Sequence, residues 1–265
     1  MRVWFSAFIL LFIGGCTSAD TQKEPVTDSG SITGTPQSGN DSIKAATISI
    51  QPVKIAAAGL PKDLKFRGKV QEAWQWKDKL GDNILITCYV APYDDKQKSE
   101  YGEEGQTAEL HTFHYLKRDS VYKVLWKMSD AEKACPFDIT CEFIEGSTTI
   151  TDLNNNGIAE TKVQYAVVCR SDVSPAYMKL IMHEDTVKCS LRGNRWLKYS
   201  PEFKFEITEN DVNLEKLPKR KDETEEMLRS FGRYENEKDF TAAPVEFLIY
   251  ARKEWLKYAK EKMGE

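Results

Sequence analysis

Val70-Gln71-Glu72-Ala73-Trp74-Gln75-Trp76, a polar turn over Asp78 to Asn83, and then Ile84-Leu85-Ile86-Thr87-Cys88-Tyr89-Val90 together decide the fold class. Both apolar runs are rich in aromatic and β-branched residues, which suit a pleated, half-buried surface, and both are shorter than a typical helix. The pair therefore reads as a β-hairpin. Trp74 and Trp76 fall on one face of the first strand, where core or cross-strand packing is favoured over stacking on a sugar.

The same pattern recurs downstream. Leu110 to Leu116 and Val121 to Trp126 flank Lys117-Arg118-Asp119-Ser120; Thr148 to Ile150 and Thr161 to Val168 flank an Asn-rich loop; Tyr177 to His183 and Val187 to Leu191 flank Glu184-Asp185. Gly193-Asn194 then reads as a turn toward Trp196. Strand, turn, strand at this short spacing predicts a mainly β, antiparallel meander or sandwich-like domain over residues 47–205. From 206 to 265 the period changes to a helical one. Asp222 with Glu225 resembles a capping box ahead of Met227, Leu228 and Phe231, with a stop at Gly232. Pro244 suits the first turn of a longer helix in which Phe247, Leu248, Ala251, Trp255 and Tyr258 share one face. That face is expected to pack on the β domain.

At the other end, a single cation, Arg2, precedes the apolar run Val3 to Ile13 and then Ile13-Gly14-Gly15-Cys16. The run is too short to span a bilayer but has the proportions of a secretory signal, residues 1–15, with small residues at the cleavage point. Because the small residues end in cysteine, the segment resembles the lipobox of bacterial lipoproteins. That resemblance implies diacylglyceryl and palmitate-type acylation of Cys16, cleavage before it, and anchoring in the bilayer. Residues 16–46 follow as a tether of Ser, Thr, Gly, Pro, Asp, Asn and Gln, too polar to offset the entropy of ordering. Its reach as a flexible chain is on the order of 30 Å.

Cleavage leaves 250 of the 265 residues and takes the formal charge from -4 to -5 by loss of Arg2. This mild acidity supplies no basic footprint for nucleic acid and no polybasic patch for anionic lipid. Five cysteines remain, Cys88, Cys135, Cys141, Cys169 and Cys189. Export permits disulfides, and pairings among Cys135, Cys141 and Cys169 stay open, as does a set of buried free thiols.

One constellation carries chemistry. Ile150-Thr151-Asp152-Leu153-Asn154-Asn155-Asn156-Gly157-Ile158-Ala159-Glu160 places side-chain oxygens at loop positions 1, 3, 5 and 9 with glycine at 6. Calcium takes six to eight oxygens, which Asp152, Asn154, Asn156, the Ile158 carbonyl and Glu160 begin to supply. Position 12 is Val163 rather than the glutamate of an EF-hand, and the flanks read as strands. The element D-x-N-x-N-G-x-x-E resembles the calcium loops of FG-GAP and integrin-α-type repeats. With two charged ligands, affinity on the order of 10⁻⁴ to 10⁻³ M is expected. The competing reading is a loop of Asx turns without metal.

His111 and His114 stand three apart on a strand, hence on opposite faces, and cannot share one ion. Arg170-Ser171-Asp172 and Ser174-Pro175 read as a loop, and no P-loop, GxGxxG, HExxH or G-x-S-x-G is present. The stretch from Cys135-Pro-Phe-Asp-Ile-Thr through Ile150 to Glu160 and Cys169-Arg-Ser-Asp-Val-Ser-Pro175 to Leu191-Arg-Gly193 is similar to a family of Bacteroidota envelope lipoproteins labelled surface polysaccharide biosynthesis proteins. The resemblance implies an outer-membrane, cell-envelope location and an envelope polysaccharide or assembly protein as partner, and it assigns no catalytic residues. An extracytoplasmic carbohydrate hydrolase is the alternative.

Overall fold

The computed structural model describes residues 49–99 and 102–261; Cys16, the signal segment and most of the tether lie outside the described residues. Two antiparallel sheets account for the strands. β1 (Val53–Lys54), β2 (Lys69–Asp78), β3 (Gly81–Lys98), β4 (Glu104–Arg118) and β5 (Val121–Cys135) lie side by side in chain order as a meander. The second sheet comprises β6 (Asp138–Phe143), β7 (Thr149–Thr151), β8 (Glu160–Arg170), β9 (Tyr177–Glu184) and β10 (Val187–Asn194). Its order is β10-β9-β8-β6, with β7 also pairing β8. The fold is mainly β, with α1 (Glu223–Ser230) and α2 (Val245–Tyr258) following the strands.

Alternation along the strands sorts the apolar residues into three layers. Trp76, Leu85, Leu110 and Trp126 of the first sheet meet Val163, Tyr165, Val167 and Ile181 of the second and form the sandwich core. On the outer face of the first sheet, Ile84, Ile86, Cys88 and Tyr115 are covered by Ile55, Leu60 and Leu64 from the segment around β1. On the outer face of the second sheet, Met178, Leu180, Met182 and Leu191 pack against Phe247, Ala251 and Trp255 of α2. The expected α2 face is therefore the one that packs, and the Trp255 indole N–H donates to the Gly232 carbonyl at 2.9 Å. Strand β8 is covered on both sides. That burial explains its polar pair: Lys162, 1% exposed, holds Glu254 of α2 and lies over the rings of Tyr250 and Tyr258.

Three points of the sequence reading are settled, one of them by correction. Within the expected 47–205 domain the last strand ends at Asn194, after which Trp196, Phe203 and Phe205 form an aromatic cluster in irregular chain. Gly193 and Asn194 do not turn but finish β10. A Cβ on Gly193 would overlap the Arg233 carbonyl oxygen, so glycine is required by close backbone approach. Among the cysteines, Cys135 at the end of β5 is bonded to Cys169 near the end of β8, while Cys141 is a free, buried thiol donating to the Ala108 carbonyl at 3.4 Å. Cys141 is left out because β6 runs along β8 and places it opposite Val167, facing the core, two positions from the pair Ile139 and Cys169. Cys88 and Cys189 are also buried and free.

Between the sheets lies an aromatic stack containing two neutral histidines. His114 sits 5.1 Å from Trp76 and 5.5 Å from Trp126, and His183 stacks on Trp126 at 3.9 Å. Asn83 Nδ2 donates to the Gly81 carbonyl, so Asn83 Oδ1 is the acceptor for the Nε2–H of His114 and fixes that tautomer. Burial lowers His114 to about 3 against the pull of Asp78, and burial lowers His183 to about 4.

Candidate functional site

The loop from Asp152 to Ala159 joins β7 to β8 and closes over the end of the sandwich. Its shape comes from its own amides. Asn154 Oδ1 accepts from the Asn156 N–H at 3.1 Å, Asn156 Oδ1 from the Ile158 N–H at 2.7 Å, and Asp152 Oδ2 from the Gly157 N–H at 3.1 Å. Asn155 and Gly157 take left-handed φ values of 55 and 80°. Asparagine tolerates that region and glycine occupies it freely, and a Cβ on Gly157 would also meet the Lys79 side chain.

The β2–β3 turn of the other sheet docks on this loop. The Ala159 N–H donates to Asp78 Oδ2 at 3.1 Å, the Lys79 N–H donates to the Gly157 carbonyl at 2.9 Å, and the Lys79 ammonium caps the Asn156 carbonyl. From β9, Glu184 Oε1 accepts both Asn154 Nδ2 at 2.8 Å and Asn156 Nδ2 at 2.6 Å. The loop is thus a contact point between the two sheets.

Glu160 is fully buried. Its Oε2 accepts from the Thr151 hydroxyl and the Leu153 N–H, both at 2.9 Å, while its Oε1 has no partner. Asp152 Oδ1 is likewise buried and without a partner. Burial pushes the Glu160 carboxyl above the usual carboxylate range; its hydrogen bonds oppose that shift and Glu184 adds to it. Of the oxygens expected to hold an ion, Asp152 Oδ1 and Glu160 Oε1 are without partners, whereas both asparagine amide oxygens already accept backbone N–H bonds; calcium prefers oxygen ligands of these kinds. Among the described residues no three His, Cys, Asp or Glu side chains form a metal-holding group, so amide and carbonyl oxygens would have to complete any shell.

No protein-family model, curated protein or solved structure matches the chain.

Glu184, Asp78 and Lys79 were not among the residues singled out from sequence, because register, not spacing, brings them to the loop. Glu184 faces Glu160 directly across the β8–β9 pair. The two strand histidines do lie on opposite faces: His114 is in the core, and His111 is on the outer face beside Glu109 and Ser129. Ser171 to Ser174 forms a turn held by Asp172.

Proposed function

We propose that this chain is a lipid-anchored binding or assembly protein of the bacterial cell envelope, acylated at Cys16 and tethered through residues 17–46. Its β-sandwich is clasped by Ca²⁺ in the Asp152 loop. The clasp rests on one observation, the unpartnered and buried oxygens Asp152 Oδ1 and Glu160 Oε1 at the contact between the sheets. Each carboxylate has one oxygen satisfied and one buried oxygen without a partner, and a divalent cation would offset the cost of burying the latter. Bound calcium would neutralise both groups and tie the loop down. The envelope address rests on Ile13-Gly14-Gly15-Cys16, and an envelope polysaccharide or assembly protein as partner rests on the family resemblance.

Thermal unfolding of the full chain in chelator and in millimolar calcium tests the clasp. At about 10 mM calcium, roughly 10 to 100 times the expected dissociation constant, an ion that binds the folded state alone stabilises it by about 1.4–2.7 kcal/mol, a rise of about 3–11 °C in Tm for a domain this size. Asp152→Ala should remove the increment. An unchanged wild-type midpoint rejects the clasp and leaves the Asx-turn loop. The anchor is tested separately by mass spectrometry of the mature N-terminus, where an unacylated Cys16 refutes it.

A further inference from the structure

On the outer face of the first sheet, beyond the edge of the covering segment, three side chains form a linear relay. Glu109 and His111 alternate on β4 and so share a face, and the β4–β5 register places Ser129 directly opposite His111. The Ser129 hydroxyl lies 2.8 Å from His111 Nδ1, and His111 Nε2 lies 2.9 Å from Glu109 Oε2. A carboxylate only accepts, so Nε2 carries the proton and Nδ1 presents its lone pair to the serine hydroxyl. The other Glu109 oxygen is held by Arg67 and by the Tyr93 hydroxyl at 2.8 Å. Those bonds, with the one from His111, hold its carboxyl below the usual range against the effect of burial.

Exposure follows the same order. His111 is 7% exposed, whereas Ser129 is exposed and opens into a cavity of about 460 Å³. The cavity wall is polar, with Tyr93, Asp95, Gln97, Thr107 and Lys133 among its residues. It therefore offers no apolar channel for a long acyl chain.

We propose that Ser129, His111 and Glu109 are a nucleophilic hydrolase site for short-chain acyl esters of polar alcohols. Ser129 Oγ bonds to the ester carbonyl carbon as its proton passes to His111 Nδ1. Collapse of the tetrahedral intermediate breaks the bond to the alcohol oxygen, which leaves with that proton. Water then attacks the acyl-serine with the same base, releasing the carboxylic acid and restoring the hydroxyl. Glu109 is a positioning residue, holding the imidazole in the tautomer that can act as base. Gln97 and Lys133 are the wall side chains able to donate to the developing oxyanion.

The test treats the full chain with a fluorophosphonate probe, with p-nitrophenyl acetate and with p-nitrophenyl dodecanoate. Expected are a covalent adduct on Ser129, hydrolysis of the acetyl ester in preference to the dodecanoyl ester, and loss of both adduct and turnover in Ser129→Ala with an unchanged melting curve. Glu109→Gln should lower kcat by about 100-fold or more with little change in KM, and should alter the pH profile, which a merely structural glutamate would not do. A folded wild type that gives no adduct at Ser129, or esterase activity untouched by Ser129→Ala, overturns the proposal.

Discussion

Lowering the pH from about 7.5 to about 5 should remove about 4 kcal/mol of stability through His114 and His183. An unfolded histidine titrates near 6.5, whereas burial between the sheets lowers His114 to about 3 and His183 to about 4. Below pH 6.5 the unfolded chain takes up a proton on each ring and the folded core does not. Their contribution is therefore fully present above pH 6.5 and declines as pH falls, until the native rings themselves protonate near pH 4 and pH 3. At pH 5 the unfolded state has gained about 1.5 units of protonation free energy per ring, about 2 kcal/mol each. Against a total of about 5–15 kcal/mol, that is a large share. Half-buried Glu132 and buried Glu160, whose carboxyls burial raises, work in the opposite direction, so wild type alone does not isolate the effect. The double variant His114→Gln/His183→Phe keeps a donor for Asn83 and a ring on Trp126 while removing both titrating groups. Urea unfolding of the two proteins across this range should show wild type losing about 4 kcal/mol more. Parallel pH dependences, or His114 and His183 resonances that titrate near 6.5 in the folded protein, would falsify the account of the core.

Two further outcomes are expected. Replacing Cys135 and Cys169 by alanine should cost about 3–4 kcal/mol by the chain-entropy estimate for a closed loop of this separation, 34 residues, read from denaturant curves with m fitted for each protein, because unlinking expands the unfolded chain and raises m; a smaller loss than 1 kcal/mol would mean that the ends of β5 and β8 are held together without it. Lys162→Ala should cost about 3 kcal/mol by emptying a fully buried site and leaving half-buried Glu254 with Lys257 alone, at 3.6 Å, whereas the double change Lys162→Met/Glu254→Leu should recover most of it; equal losses in both variants would show that packing, not the lost charge pairing, sets the cost.

The hairpins were legible because each is local: Ile84 to Val90 and Leu110 to Leu116 alternate in one strand's length, and Asp78, Asp119 and Asp185 sit in their turns. The strand ends were not. β3 runs on to Lys98 through Tyr93, Asp94 and Asp95, polar residues whose ladder bonds to β4 give no apolar signal. β6 was invisible for another reason. Its pairing with β8 is set by distant register, and the cysteines in the same stretch left a local clip and a crossing to Cys169 equally open. The Asp152 loop was readable as a string of oxygens, but its place between the sheets depends on Asp78 and Lys79, over seventy residues earlier. Glu109 and His111 carried a same-face signal in their spacing. Ser129 carried none, because only the β4–β5 register puts it opposite the imidazole.

The pairing of Lys162 with Glu254 has a consequence for the order of events during synthesis. The partners are 92 residues apart, and the cover over the outer face of the second sheet is incomplete until α2 arrives. At about 5–20 residues per second, β8 waits on the order of 5–20 s for the helix that neutralises its lysine. Throughout that interval Met178, Leu180, Met182 and Leu191 present an oily flank to whatever is nearby. Until the final helix packs, that flank is surface of the kind that holding chaperones bind.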